Sequence, residues 1–284
     1  MNIEYAQTIP LREILDKAGI QDAGQNDKGT LPYVSPFSGS ATLEVNETAN
    51  TWQDTHTQTG GGTYEFVQAL LQQRGEHAAQ VNILKWLKFN IGYPPISRFL
   101  DLPPDTTSDH LYKRICKVKL QEAGLIRYAM SRGIAFPVAK ERFKQIYVLN
   151  KATGNEFVAL GFKNEDGGFI LYNAHVEACL SPAAITFMRG KKAKPDTVHI
   201  FKDVFNYQDA ICARSGKPFN GDCIILNTWG CMDNAAAYIR GYGYAVLRTW
   251  FDNSSTGQQA VQAFQWLCTT EENLTHQAVK QPSS

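Results

Sequence analysis

The chain has 284 residues, 43% of them hydrophobic and 11% aromatic, and a formal net charge of +1. That length can bury a sizeable core in one large domain or two to three small ones, and the near-neutral balance excludes a global field that would gather nucleic acid, so any basic surface must be local. No apolar run approaches the roughly 18 residues needed to span a bilayer, and "MNIEYAQTIPLREILDKAG" lacks the charged-then-apolar layout of a signal peptide, so the expectation is a cytoplasmic protein without a membrane partner.

In chain order, Ile9, Leu11, Ile14, Leu15 and Ile20 space a short amphipathic helix closed by Gly19, and a polar linker follows. Alternation through Leu43, Val45 and Trp52 predicts a small antiparallel sheet with turns at Ser38-Gly39 and at 47–50. Gly60-Gly61-Gly62 ends it, and a helix starts over Tyr64 to Gln72. From about residue 73 to 145 the spacing is mostly helical, through "QVNILKWLKFNIGY", "LYKRICKVKLQEAGLIRYAMSRGI" and "PVAKERFKQIYVL", with breaks at Pro94-Pro95 and Pro103-Pro104. Residues 147–175 return to strands, "EFVALGFKN" and "GGFILYN" flanking a hairpin turn at Glu165-Asp166-Gly167-Gly168. "MRGKKAKPDT" reads as a solvated linker. After it strand and helix alternate: "TVHIF", "NYQDAICARSG", "DCIILN", "CMDNAAAYIRGYG", "YAVLRTWF", "TGQQAVQAFQWLC". Such β-α units imply a parallel sheet with helices on its faces. The tail "HQAVKQPSS" is expected to fray.

The six cysteines contain no C-x-x-C pair and all lie past residue 115, which points to buried thiols rather than a disulfide framework or a zinc site. The six histidines show no ligand spacing, and a Cys231–His199 nucleophile pair has no signature to support it. In an open parallel sheet, function gathers at the carboxyl ends of the strands. Three such ends are Lys202-Asp203, Asn227-Thr228-Trp229-Gly230 and Asp252-Asn253.

The order "VHIFKDVFNYQDA", "IILNTWG", "FDNSSTG" resembles the Toprim domain of bacterial primases, topoisomerases and related nucleic-acid enzymes. "YVSPFSGSATLEVNETANTWQDTHTQTGGGTYEFV" is similar to the zinc-ribbon domain that precedes the primase core. "LIRYAMSRGIAFPVAKERF" and "FVALGFKNEDGGFILYN" resemble the subdomain before Toprim in primase-like proteins, particularly those on mobile elements of Bacteroides-type bacteria. The resemblance implies an α+β and α/β multidomain chain: a ribbon-like domain without cysteines over 1–72, a helical and mixed primase-core-like region over 73–190, and a Toprim-like parallel α/β domain over 195–270.

The departures from that family carry the functional expectation. Where it keeps a glutamate at the first strand end, this chain has Lys202 and Asp203, and its Asp-x-Asp magnesium pair reads Asp252-Asn253-Ser254. Without the ribbon's thiolates, Tyr33, Phe37, Leu43, Trp52 and Phe66 are left to hold the small sheet, and no zinc is expected. The candidate catalytic and metal residues are Asp252 and a displaced Asp203, which together could hold Mg²⁺ only weakly; the other reading of Asp252 is a helix or turn cap. Arg189, Lys191, Lys192, Lys194 and Lys202 are the candidate nucleic-acid-binding residues, and Lys85, Lys88, Lys113, Arg114, Lys117 and Lys119 form a second basic cluster. Trp229, Trp250 and Phe251 are candidates for base stacking or for core packing. The expected function is binding of DNA, in particular single-stranded DNA, or of replication and mobilisation proteins, with the metal chemistry degenerate. The alternatives are an active metal-dependent primase and a protein adaptor without DNA contact.

Overall fold

The computed structural model of the chain describes residues 1–23, 31–101 and 107–279, so Pro103-Pro104 and most of the polar linker after Ile20 lie outside it. It divides into two compact units, Met1–Pro94 with Thr269–Glu272, and Pro95–Cys268 with the residues from Asn273 on.

The first unit opens with helices α1 (Ile3–Thr8) and α2 (Leu11–Ala18); Gly19 closes α2 in the left-handed conformation its sequence predicts. Strands β1 (Leu31–Tyr33), β2 (Leu43–Asn46), β3 (Thr51–Asp54) and β4 (Thr59–Gly61) form an antiparallel sheet in that order, followed by α3 (Thr63–Gln73) and α4 (Gln80–Asn90). Ile83 and Leu87 of α4 are fully buried in the same core as Ile14, Val45 and Phe66, so this unit continues past residue 72. Aromatic rings centre it: Trp52 meets Phe66 edge-on at 5.3 Å and Phe37 at 5.5 Å. The fully buried Asp54 carboxylate accepts from the Ser35 hydroxyl and from the amides of His56 and Thr57, tying two loops together.

The second unit begins with an antiparallel meander: β5 (Tyr112–Lys119), helices α5 (Ala123–Ser131) and α6 (Phe136–Arg142), then β6 (Phe143–Asn150), β7 (Glu156–Lys163), β8 (Phe169–Tyr172) and β9 (Glu177–Leu180). Two expectations are corrected here, because "LYKRICKVK" and "FKQIYVL" are strands rather than helices. Leu111, Ile115 and Val118 fall at helical spacing but are 40–47% exposed, so that stripe faces no core. The β-branched and aromatic residues find their partner across the ladder instead. At Gly161 only a glycine fits, since a Cβ would collide with Ile146 and Phe169.

The alternating segment folds into a second five-stranded sheet built from β10 (Thr186–Met188), β11 (Thr197–Phe201), β12 (Asp222–Ile225), β13 (Val246–Trp250) and β14 (Thr275–Ala278). The order is β10-β12-β11-β13-β14, with β10 antiparallel and the rest parallel. The connecting helices are α7 (Val204–Ala213), α8 (Met232–Tyr242) and α9 (Ser255–Thr269). Chain direction across the sheet reverses after β12, so right-handed crossovers put α7 on one face and α8 and α9 on the other. The strand residues alternate accordingly: Val198 and Ile200 pack with α8 and α9, and Phe201 packs with α7. The tail expected to fray instead supplies β14, parallel to β13, while Lys280 to Ser284 lie outside the described residues. No helix of the described residues is long and apolar enough to cross a membrane.

Candidate functional site

Because β12 and β13 flank β11, the strand order reverses at β11, and the crevice at the carboxyl ends of these strands is where such sheets hold ligands. Lys202 leaves β11 and turns toward the end of β12. Its Nζ donates to the Asn227 carbonyl at 3.3 Å and lies 5.2 Å from the Trp229 ring centroid. Asn227 is buried with φ +68°, a conformation asparagine tolerates better than most residues, and its Nδ2 donates to the Ala184 carbonyl and the Thr186 hydroxyl. Trp229 meets Phe251 edge-on at 5.3 Å, whereas Trp250 packs on the α7 face against Phe201 and Phe219.

Both candidate acids lie in turns that lead into helices. Asp203 Oδ1 accepts from the amides of Phe205 and Asn206, each at 2.9 Å, and so caps α7. Asp252 Oδ1 accepts from the Ser254 amide at 3.1 Å and from the Ser254 hydroxyl. Ser254 Oγ in turn accepts from the Gly257 amide at 3.0 Å and caps α9. A Cβ at Gly257 would collide with the Asp252 carbonyl and carboxylate, so the turn requires glycine there. Among the described residues no group of three or more His, Cys, Asp and Glu side chains is gathered to hold a metal.

The five candidate nucleic-acid residues do not share one surface. Lys202 is at the carboxyl edge, while Arg189 to Lys194 lead from the end of β10 to the start of β11, at the amino edge. Arg189 stays more than half exposed but is tied to the fold: Asp222, its side chain fully buried, accepts from Arg189 at 3.3 Å, from the Gly190 amide at 2.8 Å and from the Tyr244 hydroxyl at 2.8 Å. Lys192 pairs with Asp196 at 3.5 Å. His199 and Cys231 form no nucleophile pair. Trp250 Nε1 donates to His199 Nδ1 at 3.0 Å, and Thr228 donates to the Cys231 sulfur. Burial, then the charges of Arg248 and Arg214, lower the His199 pKa to about 3, leaving a neutral ring protonated at Nε2.

The second basic cluster also divides, with Lys85 and Lys88 on α4 of the first unit and the other four on β5. β5 is an edge strand, exposed from Lys113 to Lys119, and its register with β6 slips between Arg114 and Cys116. This bulge at Ile115 puts Arg114, Lys117 and Lys119 opposite Val148, Ile146 and Lys144, so all lie on one face of the sheet. Strict alternation would have split Arg114 from Lys117. Both lie over the Phe169 ring, at 5.3 and 5.7 Å, and none of the four β5 cations enters an ion pair among the described residues.

A family model described as a domain of unknown function, DUF8464, matches residues 115–181, which run from the bulge in β5 through β9. No curated protein matches the sequence. Among solved structures, the chain is similar to the zinc-binding and RNA polymerase domains of the Aquifex aeolicus primase, at 12% identity and a TM-score of 0.37, over 98% of this chain and 78% of that one. It is also similar to the primase fragment of the bacteriophage T7 primase-helicase protein, at 11% identity and a TM-score of 0.32, over 90% and 89% of the two chains. Likeness at this level leaves function to the chain's own geometry.

Proposed function

We propose that the protein binds single-stranded nucleic acid, as a primase-like protein with a Toprim-like α/β domain whose metal chemistry has lapsed, serving replication, mobilisation or excision of mobile-element or plasmid DNA. The observation that carries this reading is the exposed, cationic β5 strand, where a bulge aligns Arg114, Lys117 and Lys119 at about 7 Å per step, a spacing suited to successive phosphates of an extended strand. The carboxyl edge supports binding over nucleotidyl transfer, since Asp203 and Ser254 cap helices and Lys202 brings a positive charge to the crevice.

Fluorescence anisotropy with a labelled single-stranded oligonucleotide tests the reading. Replacing Lys113, Arg114, Lys117 and Lys119 by Gln should weaken binding at low salt at least about tenfold and flatten the salt slope by about 0.7 for each phosphate no longer neutralised. Absence of wild-type binding at low salt would sink the proposal and leave the protein-adaptor reading. A primer-synthesis assay with Mg²⁺ or Mn²⁺ should give no product; product that disappears in Asp252→Ala would replace this reading with nucleotidyl transfer.

A further inference from the structure

At the amino edge of the parallel strands, on the α7 face, lies a cavity of about 400 Å³, within the range of small-ligand sites. Its wall comes from the starts of β11 and β12, from Arg214 and Phe219 after α7, and from Arg248 on β13. Lys192, Arg214 and Arg248 bring three positive charges to it, against the single negative charge of Asp196. Arg214 and Arg248 enter no ion pair among the described residues. Arg248 instead donates through Nε to Gln277 at 2.8 Å, and Arg214 donates through Nε to the Lys217 carbonyl at 3.3 Å. Those bonds use the inner nitrogen of each guanidinium and leave the outer fork to meet a ligand.

His199 completes the wall. Trp250 occupies its Nδ1, so the proton is on Nε2, and the ring lines the cavity with that N–H as its remaining donor. The Phe219 ring packs against His199 at a tilt of 44° with centroids 4.3 Å apart, which together with the Trp250 bond fixes the donor's direction. The cavity thus combines two guanidinium forks, an ammonium and a neutral N–H, with a surplus of two positive charges. Planar forks match phosphate oxygens in pairs, and the surplus matches a dianion better than a carboxylate.

We propose that this cavity binds a phosphate monoester, either as a nucleotide or as the 5′-phosphate of a strand end, held by Arg214, Arg248 and Lys192 with His199 donating through Nε2. The site is separate from β5 and from the carboxyl edge.

Isothermal titration of the full chain at constant ionic strength tests it, with inorganic phosphate, a nucleoside 5′-monophosphate and the parent nucleoside as ligands. The two phosphate-bearing ligands should bind and the nucleoside should not. Arg214→Gln and Arg248→Gln should each weaken phosphate binding about tenfold or more, whereas Lys140→Gln on α6 should leave it unchanged. Thermal melts confirm that each variant is folded, and His199→Gln provides a milder second probe of the same wall. Tighter binding of the monophosphate than of inorganic phosphate assigns a small nucleotide. Tighter binding of a 5′-phosphorylated oligonucleotide than of its 5′-hydroxyl counterpart, lost in Arg248→Gln, assigns a strand end. Failure of folded wild-type protein to bind either phosphate ligand at millimolar concentration overturns the proposal, as does binding unchanged in both arginine variants. Because inorganic phosphate is the primary ligand, these results are independent of whether β5 binds a strand.

Discussion

Asp203 and Ser254 occupy equivalent places in the β11–α7 and β13–α9 turns, Asp203 accepting from two amides and Ser254 from one in the first turn of the helix that follows. Asp203→Ala and Ser254→Ala should each cost about 1 kcal/mol in denaturant unfolding, the usual loss for a cap. An acid ending a strand was legible in the sequence, and so was the choice between cap and metal ligand. That Ser254 rather than Asp252 would be the capping group was not legible, because it depends on where the helix begins. His199 makes a different prediction. Its folded pKa, about 3, lies below the unfolded value of 6.5, so on acidification the unfolded chain takes up a proton that the native ring refuses. Stability should therefore fall as pH drops from about 6.5 toward 3, by up to about 1.4 kcal/mol per pH unit from this residue, and His199→Gln should flatten that dependence in melts across the range. Nothing in the sequence marked His199, since its partners Trp250, Phe219, Arg214 and Arg248 come from separate elements.

At the level of elements, three of the strands that periodicity alone did not reveal share a cause: β5, β10 and β14 are edge strands, whereas β6, also read as helical, lies inside its sheet. An edge strand covers little core, so its apolar residues need not alternate cleanly, and β5 is exposed over seven of its eight residues. The inner strands β11 and β12 are nearly continuous buried runs, and such runs are plain in the sequence. β14 also shields the outer edge of β13 and packs His276 against the Thr249 hydroxyl at 3.0 Å. Truncation after Leu274 should lower stability by about 1–3 kcal/mol and promote association through the bared β13 edge, measurable by melting and by light scattering.

Over the whole molecule, two units with separate cores should unfold in two transitions rather than one. The Asp54 carboxylate is held below its usual pKa although burial opposes this, because the Ser35 hydroxyl and the amides of Thr57 and His56 donate to it. Asp54→Ala should lower the first unit's transition by about 2–3 kcal/mol and leave the other in place, as calorimetry would resolve. The same carboxylate supports the first unit above its unfolded pKa of 3.8 and loses that contribution as pH falls through its lower folded value. The alternation of β and α from residue 197 onward and the aromatic centre of the first sheet were legible, since both rest on buried apolar residues in regular order. The boundary near Pro94 was not, because α4 shares its amphipathic spacing with the helices that follow.

The cap at Ser254 has one more consequence, for how freely the charge of the crevice can vary. Aspartate and serine start helices about equally well. An exchange of one for the other at this position is therefore quiet for α9 while it adds or removes a negative charge at the carboxyl edge, so the electrostatics of the crevice and the architecture around it are open to change one without the other.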